Sequence, residues 1–113
     1  MSTVITVEIN CPDDGTASVI AEAMVSARLA AAANVHGPVE SVYLWGGRTE
    51  RRTEVPLVLR TRAEHFPALV EAVRELHPYE VPSIVAQPVS VPDDYRAWVE
   101  AETVGPDPEE DEE

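Results

Sequence analysis

The sequence predicts an α+β sandwich of βαββαβ order with an extra C-terminal helix. Three observations predict it. Stretches near Thr3, Val39, Thr49 and Ser83 are rich in β-branched residues, two intervals between them carry apolar residues at helical spacing, and a Gly46-Gly47 pair separates the middle two strands. The length of 113 residues suits one domain and is too short for two, and an apolar share of 44% is enough for a packed core.

Thr3–Ile9 (TVITVEI) alternates β-branched side chains and predicts the first strand. Cys11-Pro12-Asp13-Asp14-Gly15 predicts a turn, with its acids where a helix N-terminus favours negative charge. The alanine-rich stretch from Thr16 to Ala33 predicts a helix with Ile20, Ala23, Met24, Ala27 and Ala31 on one face, and Asn34 is its expected stop. Val39–Trp45 predicts a strand apolar on both faces, and Gly46-Gly47 supplies the positive φ angles of a tight hairpin. The return strand is expected over Thr49–Arg60, with Pro56 marking a bulge or an edge because it cannot donate to a ladder. Phe66, Leu69, Val70, Val73 and Leu76 predict the second helix, which Pro78 ends. Thr61-x-x-Glu64 has the pattern of a capping box, while Pro67 asks for a start one or two residues later. Ser83–Val91 predicts the last strand, with Pro88 again implying an edge or bulge, and Asp93–Thr103 predicts a short terminal helix. This is the split βαβ, or ferredoxin-like, pattern. Its long central hairpin and open edges predict an oligomer.

Charge divides the chain. Eight Lys+Arg against 21 Asp+Glu give −13, and six of the acids lie in Gly105–Glu113 (GPDPEEDEE). Residues 1–104 are therefore expected to form the domain and 105–113 a disordered acidic tail, which has nothing to bury and repels itself. Taking those six charges from −13 leaves −7 on residues 1–104, a surface that repels nucleic-acid backbones and anionic membranes. No apolar run is long enough to span a bilayer, and the first ten residues lack a basic start and a small-residue cleavage site. One cysteine cannot form an internal disulfide, which suits a reducing cytoplasm. A cytoplasmic location is the expectation.

Few residues here support catalysis. Zinc-type sites need three or four ligands at turn or helical spacing, whereas His36, His65 and His77 form no close pair and Cys11 stands alone. His77 is the best single metal-ligand candidate, set against a plain role as a cation at a helix C-terminus, and Cys11 is the next. Nothing near Cys11 in sequence supplies a base, and no glycine-rich strand-to-helix loop offers a phosphate cradle. Asp13-Asp14 and Asp93-Asp94 open helices, where capping explains them. The one constellation beyond packing gathers Tyr43 and Trp45 before the hairpin turn, Arg60 at the end of the return strand, and His77, Tyr79 and Glu80 after the second helix. Such groups around a cleft suit a small anionic or polar ligand, and equally a subunit boundary. No catalytic residue is assigned and no enzyme is expected. An acylphosphatase-like activity would want a basic phosphate loop where Cys11-Pro12-Asp13-Asp14 stands, and an RNA-binding sheet would want basic and aromatic motifs.

Four segments, Arg28-Leu-Ala-Ala-Ala-Ala-Asn34-Val, Ser41-Val-Tyr-Leu-Trp45-Gly, Glu54 through Leu59-Arg60-Thr61, and His77-Pro78-Tyr79-Glu80-Val81-Pro82, resemble the CutA proteins, in register from about Val4 to Ala101. The resemblance implies a ferredoxin-like subunit in a tight homotrimer, cytoplasmic in bacteria, with a non-enzymatic role in tolerance to copper or other divalent cations. By analogy with the PII signalling proteins, whose trimer is similar, it also implies an alternative: a sensor with small-molecule clefts between subunits. Members with proposed copper ligands carry a cysteine where this chain has Ile9 and a His-His pair where it has Leu76-His77, so only His77 carries over. Ala32 and Arg60 stand where many members have cysteine and lysine. No cofactor is required on this reading, and copper or another divalent cation is expected to bind weakly. The expected partners are further copies of the chain, with a small-molecule ligand or a protein as the signalling partner.

Overall fold

The computed structural model describes residues 1–105. The expected acidic tail lies outside these residues except for Gly105. That residue is buried, and its N–H donates to the Arg28 carbonyl at 3.1 Å, so the folded body extends through it. The element order is β1 (Val4–Cys11), α1 (Asp14–Ser26), β2 (Ala32–Val35), β3 (Val39–Trp45), β4 (Arg48–Arg62), a 3-10 turn at Ala63–His65, α2 (Phe66–Leu76), β5 (Ile84–Pro88) and α3 (Asp93–Glu102).

The strands form one antiparallel sheet in the order β2-β4-β1-β5, with β3 paired to the far half of β4. Alternation decides which face is covered. Ile5, Val7, Ile9 and Cys11 of β1 and Leu57 and Leu59 of β4 pack with Ile20 and Met24 of α1 and Leu69 and Val73 of α2. The intervening residues face away from these helices, in cross-strand rows such as Val85–Glu8–Val58–Asn34 and Gln87–Thr6–Arg60–Ala32. α3 sits near the Val4–Arg62 end, where the Thr103 carbonyl accepts from Arg62 Nε and Nη2 at 3.2 and 2.9 Å and from His65 Nε2.

The first helix is shorter than its alanine run predicts. Ala27 caps α1, and Arg28 takes a left-handed φ of 61°. The Arg28 N–H donates to Val25 O and the Leu29 N–H to Met24 O, both at 3.0 Å, which is a Schellman turn. Ala32–Val35, expected at the helix end, instead pairs with Leu57–Arg60 as β2. Glycine is the usual residue at the position Arg28 fills, because a Cβ costs about 1–2 kcal/mol in that conformation. Arg28→Gly is therefore expected to stabilise the fold by about 0.5–1 kcal/mol, part of the gain being lost to the greater freedom of glycine in the unfolded chain. The Arg28–Glu102 ion pair it removes is 3.8 Å long and half-exposed, so it contributes little. Urea denaturation reads the shift in midpoint.

Pro56 marks a bulge. The β2 ladder ends at Val35–Leu57 and the β3 ladder begins at Val39–Glu54, so three residues, His36–Pro38, face two, Val55 and Pro56. Pro88 closes β5, which among the described residues pairs only with β1 and is an edge strand, shorter than the expected Ser83–Val91. The expected capping box does not form. Thr61 belongs to β4 with its hydroxyl buried and unpartnered, and the Glu64 carboxylate accepts from Ser2 Oγ at 2.6 Å instead. Asp13 does cap α1, accepting from the Thr16 N–H at 2.7 Å, and that bond holds its carboxyl below the ordinary value.

Candidate functional site

The site is built by the hairpin of β3 and β4. Gly46 and Gly47 take φ angles of 60° and 79°, which closes a two-residue turn and fixes the register. Trp45 then faces Arg48, Tyr43 faces Glu50, Ser41 faces Arg52 and Val39 faces Glu54. The strand period of two places these residues on one face of the hairpin. The segment after α2 lies opposite, and between the two runs a cleft of about 830 Å³. Tyr43, Trp45, Arg52, Glu54, Tyr79 and Glu80 are among the residues that line it.

Glu54 lies at the inner end of the hairpin and is only 6% exposed. The Tyr79 hydroxyl donates to its Oε2 at 2.8 Å. The Arg52 guanidinium stacks over the Tyr79 ring, 4.8 Å from its centroid, and makes no ion pair with Glu54. Burial is the main cause that raises the Tyr79 phenol above its ordinary value. Behind Tyr79, edge-on at 4.7 Å, stands the ring of His77.

His77 caps α2 and is 6% exposed. Its Nε2–H donates to the Asn10 carbonyl at 2.8 Å, and its Nδ1 accepts from the Tyr79 N–H at 3.2 Å. A carbonyl cannot donate and a backbone N–H cannot accept, so this pair of bonds places the ring proton on Nε2. Both nitrogens are engaged within the fold, a role that neither sequence reading of His77, metal ligand or cation at the helix C-terminus, included. The imidazole instead ties the end of α2 to the end of β1. Cys11 is fully buried in the core, and burial, followed by Asp13 and Glu54, raises its thiol to about 11. Such a thiol is a poor metal ligand at neutral pH. Among the described residues no group of three or more His, Cys, Asp or Glu converges to hold a metal ion. A cation site complete within one chain does not fit these side chains.

Four of the six expected cleft residues, Tyr43, Trp45, Tyr79 and Glu80, do line one cleft. His77 stands behind it. Arg60 does not belong there: it lies six residues along β4 from Glu54, and its Nη1 donates to Asn34 Oδ1 at 3.2 Å. Arg52 is the guanidinium of the cleft. Arg52, Glu50 and Glu54 were absent from the expected set, although the hairpin register that Gly46-Gly47 dictates places them opposite Ser41, Tyr43 and Val39.

Comparison with known proteins extends over nearly the whole described chain. Protein CutA of Mus musculus is 42% identical over 81 residues, covering 72% of this chain and 46% of that protein. The chain spans about half the length of the mouse and human relatives it matches. The divalent-cation tolerance protein CutA of Escherichia coli is 35% identical over 101 residues, 88% of this chain and 90% of that one. The crystal structure of CutA1 from Shewanella sp. SIB1 superposes with a TM-score of 0.87 at 31% identity, covering 92% of this chain and 98% of that one. The expected cytoplasmic location is overturned by a solved relative from Archaeoglobus fulgidus, named as a periplasmic divalent cation tolerance protein CutA (TM-score 0.85, 28% identity, 88% and 98% covered). A lone buried thiol forms no internal bridge in either compartment and so carries no information about location. The family model of the CutA1 divalent ion tolerance protein matches residues 5–102, and the chain belongs to that family.

Proposed function

We propose that this chain acts in tolerance to divalent cations, copper among them, as a non-enzymatic homotrimer. The observation that carries the reading is the match to the divalent ion tolerance family over residues 5–102. The form of the subunit supports assembly. The β3–β4 hairpin extends beyond the β2-β4-β1-β5 path with Val42 52% and Leu44 72% exposed, β5 has a free edge among the described residues, and Val85 stands 59% exposed on the face turned away from α1 and α2. Edges and apolar surface of this kind are normally covered by another chain. Cation binding within one subunit is weak on this reading, because His77 and Cys11 are committed to the fold. Light scattering at low micromolar concentration is expected to give about 37 kDa, three chains of 12.3 kDa each, and a folded monomer would overturn the assembly. Cells stripped of their own CutA are expected to regain growth on raised copper when they express this chain. Failure to restore growth from a well-expressed chain would overturn the tolerance role.

A second reading has its own support. The cleft beside Glu54 has the size and mixed polar and aromatic lining of a small-molecule site. Ligand sensing at that cleft, with the state passed to a protein partner, is the alternative that this observation favours.

A further inference from the structure

We infer that the hairpin cleft binds a small organic cation with a flat apolar body, Glu54 taking the charged head. This rests on the ligand-cleft reading and names its ligand class. The primary observation is a buried carboxylate with unused capacity. Glu54 is 94% buried by the complement of its 6% exposure, it lines the cleft, and its one hydrogen bond is from the Tyr79 hydroxyl to Oε2. No arginine or histidine among the described residues comes within ion-pair distance of it. A carboxylate removed from water and left without a cation is costly, and one placed at a cavity wall is offset by a cation that enters.

Two further observations set the class. The cleft is lined by Glu50, Glu54 and Glu80 against the single guanidinium of Arg52, which faces the Tyr79 ring, so the balance of charge selects against an anion. Tyr43 and Trp45 present ring surface on the same hairpin face, and aromatic faces attract organic cations and stack on flat apolar groups. A bare metal ion uses neither ring, and the carboxylates do not converge as a ligand set. An ammonium on an aromatic or alkyl body uses both the buried carboxylate and the rings.

Three probes that share one body and differ in charge test this: tyramine, tyrosol and 4-hydroxyphenylacetate, titrated by calorimetry at pH 7.5. Tyramine is expected to bind at least about tenfold tighter than tyrosol, as a charge-assisted hydrogen bond requires, with the acid weakest. Glu54→Gln keeps an acceptor for the Tyr79 hydroxyl and removes the charge, and it is expected to abolish the preference for tyramine over tyrosol. If that variant fails to fold, Tyr43→Ala, at an exposed position, is expected to weaken all three probes by about threefold or more while leaving their order unchanged. Best binding by the acid would leave a ligand cleft standing and overturn the cationic class. No binding by any probe would overturn both. Displacement of tyramine by equimolar magnesium would assign Glu54 to an inorganic cation and overturn the inference.

Discussion

Replacing His77 with alanine is expected to destabilise the metal-free protein by about 2–4 kcal/mol. Two hydrogen bonds lose a partner while the other group stays behind in a partly buried setting, at about 1–2 kcal/mol each. The Asn10 carbonyl at the end of β1 loses its donor, and the Tyr79 N–H loses its acceptor. The loss spreads into the cleft, because the imidazole edge supports the Tyr79 ring, and that phenol holds Glu54. Urea denaturation of chelator-treated protein, at one chain concentration throughout, measures the change. The same experiment separates this role from metal ligation. A ligand imidazole would leave the metal-free midpoint alone and lower only the stabilisation that added copper gives. An unchanged metal-free midpoint in His77→Ala would therefore overturn the positioning role.

The elements most legible in the sequence are those whose local signals agree with their tertiary setting. β3 was expected over Val39–Trp45 and is found there, because Gly46-Gly47 admits only one tight turn and the turn fixes the register. α2 likewise starts where Pro67 allows, inside its first turn, and stops at the residue before Pro78 but one. The α1–β2 boundary was illegible for a physical reason. Helix propensity favours alanine throughout Ala30–Ala33, and the signal that would stop the helix, a glycine after Ala27, is replaced by Arg28 in a glycine-like conformation. Only pairing with Leu57–Arg60, a tertiary fact, makes that stretch a strand. The Thr61–Glu64 motif misled similarly, since its threonine was already committed to the buried ladder of β4. In the cleft the aromatic wall could be read from Tyr43 and Trp45, but its floor could not. Glu54 looks like one acid in an acidic chain until the fold buries it, and Arg60 competes with Arg52 for the role of the cleft guanidinium until the register separates them.

Alkaline pH is expected to expose Cys11 as the second large determinant of stability. In the folded chain, burial first and the charges of Asp13 and Glu54 next raise its thiol from 9.0 to about 11. The folded state thus holds the proton more tightly than the unfolded state. Its stabilising share is fully present below pH 9 and falls as pH rises towards 11, because the unfolded thiol ionises first. The loss over that window is about 2–3 kcal/mol. The window is unusually uncluttered: all eight Lys and Arg residues are arginines, so no lysine titrates there, and the chain has only three tyrosines. Cys11→Ala leaves those tyrosines in place and removes the thiol. Urea midpoints measured from pH 8 to 11 are expected to fall more steeply for the native chain than for this variant, with the two curves diverging only above pH 9. Parallel curves would show that the thiol keeps an ordinary value and that the core around Val7, Ile9 and Leu57 admits enough water to solvate a thiolate.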